Sequence, residues 1–145
     1  MPVKKIARTP PPTALVVDDN PMCRELAAET LRAQGVEVIV AKDGFEAIRV
    51  LSRGAGRLAI LVVDTEMPGV HGWEVIRFAR TKAPTMTILR LGRASDDAPG
   101  GDYRALAAVP VLRKPFTVGE LISSLEPRTR RVAAGSNGSR APGRR

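Results

Sequence analysis

The chain of 145 residues has the length of one domain with a sizeable core, and its formal charge of +8 is unevenly spread. Residues 13–125 hold 14 Lys/Arg and 14 Asp/Glu, so the excess lies in the first twelve residues (+3) and the last twenty (+5), and the basic pI marks no nucleic-acid-binding face on the domain. A single cysteine, Cys23, excludes an intramolecular disulfide or a cysteine metal cluster, no apolar run reaches a membrane span, and no apolar h-region follows Lys4 and Lys5 to make a secretory signal.

Residues 1–12 form a basic arm, expected to be disordered, that ends in the stiff spacer Pro10-Pro11-Pro12. Ala14-Leu15-Val16-Val17 is continuously apolar and predicts a strand buried on both faces, over about 13–18. Asn20 caps a helix with Pro21 at its first position, where the missing N–H costs nothing, and Gly35 ends it as a left-handed residue. Cys23 falls in the first turn, a place that can lower a thiol pKa, although a small semi-buried residue in a reducing cytoplasm is the plainer reading. Val36–Val40 is a second strand, and a second helix runs from about Asp43 to Arg53-Gly54 with Ile48, Val50 and Leu51 apolar.

Leu58–Val63 is a third strand. The loop Met67-Pro68-Gly69-Val70-His71-Gly72 leads into a helix carrying Trp73, Ile76 and Phe78. Trp73 is expected to pack on the sheet or lie half exposed, and His71, lacking a partner His or Cys, has no metal role. Thr85–Leu91 is a fourth strand in which Arg90 marks an edge, a salt bridge or a partner surface. Pro99-Gly100-Gly101 limits any fourth helix to about Asp102–Ala107. Val109–Arg113 is the fifth strand, and Thr117-Val118-Gly119-Glu120 is a capping box opening a last helix with Leu121, Ile122 and Leu125. The Gly/Ser/Arg-rich residues 127–145 lack periodicity and aromatic stacking residues, so they are expected to be a disordered, solvated tail rather than a nucleic-acid arm.

Five alternating strand-helix units over residues 13–126 specify an α/β, doubly wound, five-stranded parallel sheet. Asp18 and Asp19 close the first strand and Asp64 the third. Parallel strands gather such residues at the carboxyl edge, where open α/β folds bind ligands. Lys114-Pro115 ends the fifth strand, and an X-Pro bond there has access to the cis form. Clustered carboxylates repel one another and favour a divalent cation such as Mg²⁺, which takes oxygen ligands. With such charge neutralised, a carboxylate can attack a phosphoryl group while a lysine ammonium stabilises its oxygens. Helix capping alone is the plain reading of Asp18 and Asp19. Their recurrence with Asp64 and Lys114 at matching strand ends favours a site.

The chain resembles the receiver domain of bacterial two-component response regulators over about residues 13–125. The resemblance rests on Leu15-Val16-Val17-Asp18-Asp19-Asn20, on Asp64-Thr65-Glu66-Met67-Pro68-Gly69-Val70-His71-Gly72 and on Lys114-Pro115-Phe116. It implies a flavodoxin-like (βα)5 fold in single-domain form, a signalling protein of the cytoplasm rather than an enzyme. It implies a histidine kinase or histidine phosphotransferase as phosphoryl source and a downstream protein as partner, with the chain a monomer or weak homodimer. Residue by residue, it makes Asp64 the phosphoacceptor. Asp19, Asp64 and the backbone carbonyl of Glu66 become direct Mg²⁺ ligands, Asp18 acts through a water on the metal, and Lys114 contacts the phosphoryl oxygens.

Two positions depart from the family pattern. Gly92 stands where the fourth strand would end in a Thr or Ser hydroxyl, followed by Arg93 where a small residue is usual. A shifted register would use Ser95 as the hydroxyl. Val111 stands where an aromatic ring would turn inward. Magnesium binding and phosphorylation at Asp64 are therefore expected, with the usual relay to the later elements weakened for want of its differential contact. Arg93 either replaces the hydroxyl or folds over the site. The rival expectation is a pseudo-receiver, an interaction module without phosphoryl chemistry.

Overall fold

The computed structural model describes residues 11–93 and 108–125. Strand β1 (Thr13–Val17) leads into helix α1 (Pro21–Ala33), strand β2 (Glu37–Ala41) into α2 (Gly44–Gly54), and β3 (Leu58–Asp64) into α3 (Gly72–Lys82). A single 3-10 turn, Ala55–Arg57, joins α2 to β3. Strands β4 (Thr87–Gly92) and β5 (Val111–Arg113) complete the sheet, and a C-terminal helix begins at residue 118. The boundaries fall within two residues of those expected. The expected helix at Asp102–Ala107, the alternative hydroxyl of Ser95, and most of the arm and all of the tail lie outside the described residues.

All four strand pairings are parallel, in the order β2-β1-β3-β4-β5. The chain moves outward from β1 in one direction to β2 and in the other to β3. The reversal places a crevice at the carboxyl ends of β1 and β3, the position where doubly wound sheets bind ligands. Continuous apolar runs follow from covering both faces. Leu15, Val17, Leu61 and Val63 face α2 and α3, whereas Ala14, Val16, Ile60 and Val62 face α1 and the C-terminal helix. Each large side chain buried here contributes about 1.5–3 kcal/mol, which fixes strand register against slippage.

Local signals act as their chemistry dictates. Asn20 Oδ1 accepts from the N–H groups of Met22 (2.9 Å) and Cys23 (3.2 Å), and Gly35 takes φ 82° after α1. Asp43 Oδ1 accepts from Glu46 N while Glu46 Oε1 accepts from Lys42 N, starting α2. The Thr117/Glu120 capping box is reciprocal, at 3.1 and 3.2 Å.

One expectation for β4 is corrected: Arg90 marks no edge, because β4 lies between β3 and β5. The Arg90 residue is buried, its guanidinium 4.9 Å from the ring centroid of Trp73 and its Nε donating to Val109 O at 3.4 Å. Trp73 is itself buried rather than half exposed. Among the described residues no helix is long and apolar enough to cross a membrane.

Candidate phosphoryl and metal site

Asp64 is the last residue of β3, and Asp18 and Asp19 follow β1 directly, so the two neighbouring strands deliver three carboxylates to one edge. One oxygen from each lies within 4.8 Å of the others. Asp18 and Asp64 are buried, and Asp19 is exposed at the rim. Lys114 directly follows β5 and precedes Pro115 through a cis peptide bond. Its Nζ stands 2.8 Å from Asp18 Oδ2 and 3.3 Å from Asp64 Oδ2. Sequence reasoning placed these four residues together, and the structure brings them together.

The backbone beneath the site is tightly built. A Cβ added at Gly72 would collide with the carbonyl oxygen of Asp64 and the Cα of Thr65, so α3 packs its first residue directly on the end of β3. Gly44, first residue of α2, meets Val70 in the same way. The loop after Asp64 is therefore held between two helix starts. Thr65 is buried, and both its N–H (3.1 Å) and its hydroxyl (3.3 Å) donate to Leu91 O, tying that loop to β4.

Several supports were not visible in the sequence. Asp18 Oδ1 accepts from Asn20 N at 2.9 Å, and Arg24 donates to Asp18 O at 2.9 Å. Asp64 Oδ1 accepts from Glu66 N at 2.9 Å. Gly92, which has no hydroxyl to offer, accepts at its carbonyl from Lys114 N at 3.2 Å and so positions the lysine backbone. The Glu66 side chain turns to Arg93, whose Nε lies 3.8 Å from Glu66 Oε1, while the Glu66 N–H serves Asp64. Val111 pairs with Arg90 in the sheet register and presents no ring. His71 is exposed and precedes α3 without capping it through its side chain.

The electrostatics favour a cation. Burial pushes the Asp64 carboxyl from 3.8 up to about 6, against the Glu66 N–H and Lys114, which lower it, while Asp18 adds to the rise. Burial alone would lower the Lys114 pKa, but its contact with Asp18, and then Asp64, carries it above its ordinary value. The Cys23 thiol is raised by burial rather than lowered by its place in the first turn of α1, in keeping with the plainer reading of a small half-buried residue. Three carboxylates against one ammonium leave two negative charges, and Asp18 Oδ2 accepts no well-directed hydrogen bond despite its closeness to Lys114. An all-oxygen donor set with that deficit suits one hard divalent cation.

Comparison with known proteins agrees with this geometry. The family model of the response regulator receiver domain matches residues 14–126. The chain is 32% identical over 130 residues to the probable transcriptional regulatory protein TcrX of Mycobacterium tuberculosis, covering 84% of this chain and 51% of that protein. It is 34% identical over 121 residues to the response regulator MprA of Mycobacterium leprae, covering 81% and 51%. The chain thus spans about half the length of these curated relatives. A crystal structure of a response regulator receiver protein from Sinorhizobium medicae superposes with a TM-score of 0.70 at 28% identity, covering 84% of this chain and 97% of that one. With its parallel five-stranded sheet, its acidic crevice and its lysine, the chain belongs to the response regulator receiver domain family of two-component systems.

Proposed function

We propose that this chain accepts a phosphoryl group on Asp64 from a histidine kinase or histidine phosphotransferase and signals by contact with a downstream protein. The observation that carries the reading is the convergence of Asp18, Asp19 and Asp64 within 4.8 Å, faced by Lys114 Nζ. Receiver domains are signalling modules that typically bind Mg²⁺ at an acidic pocket. Here Asp18, Asp19, Asp64 and the backbone carbonyl of Glu66 would hold the ion, which when bound offsets carboxylate and phosphoryl charge.

The remaining work belongs to the side chains. An Asp64 carboxylate oxygen attacks the phosphorus of the donor, the bond from phosphorus to the donor nitrogen breaks, and the electron pair leaves with that nitrogen. Lys114 stands beside Asp64 Oδ2 and takes up charge on the transferred oxygens. The Glu66 N–H holds Asp64 Oδ1 and the Lys114 ammonium lies at Oδ2, and we assign the attack to Oδ2 because the transferred oxygens then arrive beside that ammonium. Asp64 itself is buried, and the lower polarity around it strengthens each of these interactions.

Incubation with Mg²⁺ and acetyl phosphate, or with a phosphorylated histidine kinase, tests the proposal by mass spectrometry. The expected result is one added phosphoryl mass that Asp64→Asn abolishes. No incorporation from either donor would favour the second reading, an interaction module with an acidic pocket but no phosphoryl chemistry. Gly92 and Val111, which lack the hydroxyl and the ring of the usual switch, are the observations on its side.

A further inference from the structure

Arg93 and Glu66 meet beside the crevice, just past the ends of the neighbouring strands β4 and β3. Each stands two positions beyond one registered pair of neighbouring strands, Glu66 after Asp64 and Arg93 after Leu91. The two loops are locked at their base, where Leu91 O accepts from Thr65 N and Thr65 Oγ1. The Arg93–Glu66 contact is long, 3.8 Å from Nε to Oε1, with side chains 76% and 44% exposed. Exposed pairs of this kind are weak and readily exchanged.

A phosphoryl group on Asp64 changes the competition. It brings about −1.5 to −2 charge and three strong acceptor oxygens, to which a planar guanidinium binds bidentately. The neighbouring Gly92 supplies no side-chain donor. Lys114 meets Asp18 and Asp64 from the end of β5, and Arg93 follows β4, the strand that lies directly beside β3 and Asp64. We infer that Arg93 is the phosphoryl-holding residue on that side, with Glu66 its resting partner and competitor. Arrival of the phosphoryl group draws the guanidinium off Glu66, which supplies a contact that differs between the two states. This rests on the proposed phosphoryl acceptance by Asp64.

Beryllofluoride with Mg²⁺ imitates a phosphoryl group on a carboxylate without undergoing transfer, so its binding to the full chain is measured by calorimetry. Arg93→Ala is expected to weaken it about tenfold, the loss of one charge-assisted contact. Arg93→Lys should fall between, because an ammonium keeps the charge but loses the fork. Glu66→Gln should tighten binding a few-fold by releasing the guanidinium. Wild-type affinity in Arg93→Ala, or weaker binding in Glu66→Gln, overturns the inference while leaving Asp64 as acceptor. A wild-type chain that takes neither beryllofluoride nor a phosphoryl mass overturns the acceptor reading and this inference with it.

Discussion

Lys114 reaches from the end of β5 to Asp18, Nζ 2.8 Å from a carboxylate oxygen that is wholly buried. The same ammonium lies 3.3 Å from Asp64, so it is the counter-ion for two acids at once. Replacing it with an uncharged side chain of similar length, Lys114→Met, leaves three carboxylates uncompensated. Magnesium affinity should then rise by about tenfold, a fraction of the roughly 4 kcal/mol between unit charges about 4 Å apart at an effective dielectric of 20. Phosphorylation from acetyl phosphate should fall even at saturating Mg²⁺, because the positive charge beside Asp64 Oδ2 is gone. Calorimetry and a mass time course read the two effects separately. Weaker magnesium binding would show that Lys114 orders the acids rather than competing with the cation.

Gly72 tests how rigidly Asp64 is held. A methyl group there meets backbone atoms of Asp64 and Thr65, which cannot rotate away. Gly72→Ala should cost about 1–3 kcal/mol by overpacking, seen as a lower urea midpoint with unchanged slope. Gly56→Ala is the control, since nothing lies within 4 Å of its added Cβ and its φ is not positive. It should be neutral or stabilising by about 0.4–1 kcal/mol through the unfolded chain. Equal effects at both positions would contradict the close approach.

The sequence carried the sheet and the acids because both depend on local signals. Ala14–Val17 and Leu58–Val63 are apolar without alternation, which only strands covered on both faces require, and the acids directly follow those runs. The caps at Asn20 and Thr117 were legible for the same reason. Arg90 was not. Its burial depends on Trp73, seventeen positions earlier, and on Val109 across the next strand, a meeting that strand order decides. The Glu66–Arg93 contact and the bonds from Thr65 to Leu91 also join residues twenty-six or more apart, which no periodicity announces. At Cys23 a helix position that can lower a thiol pKa competes with tertiary burial, and burial outweighs it, as a small half-buried residue requires.

Arg90 makes its own prediction. The guanidinium bridges the first turn of α3 to the segment entering β5, through Trp73 and Val109 O. Arg90→Met keeps the stem but removes the donor to Val109 O and the charge over Trp73, leaving the carbonyl short of one donor. The cost should be roughly 1–3 kcal/mol, from a lost charged hydrogen bond and a cation–π contact. Trp73 is the single tryptophan, so its fluorescence reports the same site directly. Its emission should change in Arg90→Met under native conditions, and an unaltered spectrum with wild-type stability would mean that the contact carries no energy.

Asp64 gives the pH dependence. Its carboxyl sits at about 6 in the folded protein against 3.8 ordinarily, chiefly through burial. Between those values the folded protein keeps a proton that the unfolded chain has lost, so this group's contribution makes stability fall as pH rises through that window. Asp64→Asn removes the titration. In chelator, the variant's advantage over wild type should grow from pH 4 to pH 7. The gain should reach about 1–2 kcal/mol, below the roughly 3 kcal/mol of an unscreened two-unit shift, because solvent and the lost Lys114 contact reduce it. Added Mg²⁺ should reverse the order, since a cation that binds the native carboxylate stabilises wild type by mass action and finds one charge fewer in the variant. Thermal melts of the two proteins, with and without the ion, measure all four quantities. A variant advantage independent of pH would mean that Asp64 is not strained by burial, and one independent of Mg²⁺ would mean that Asp64 is not among the ion's ligands.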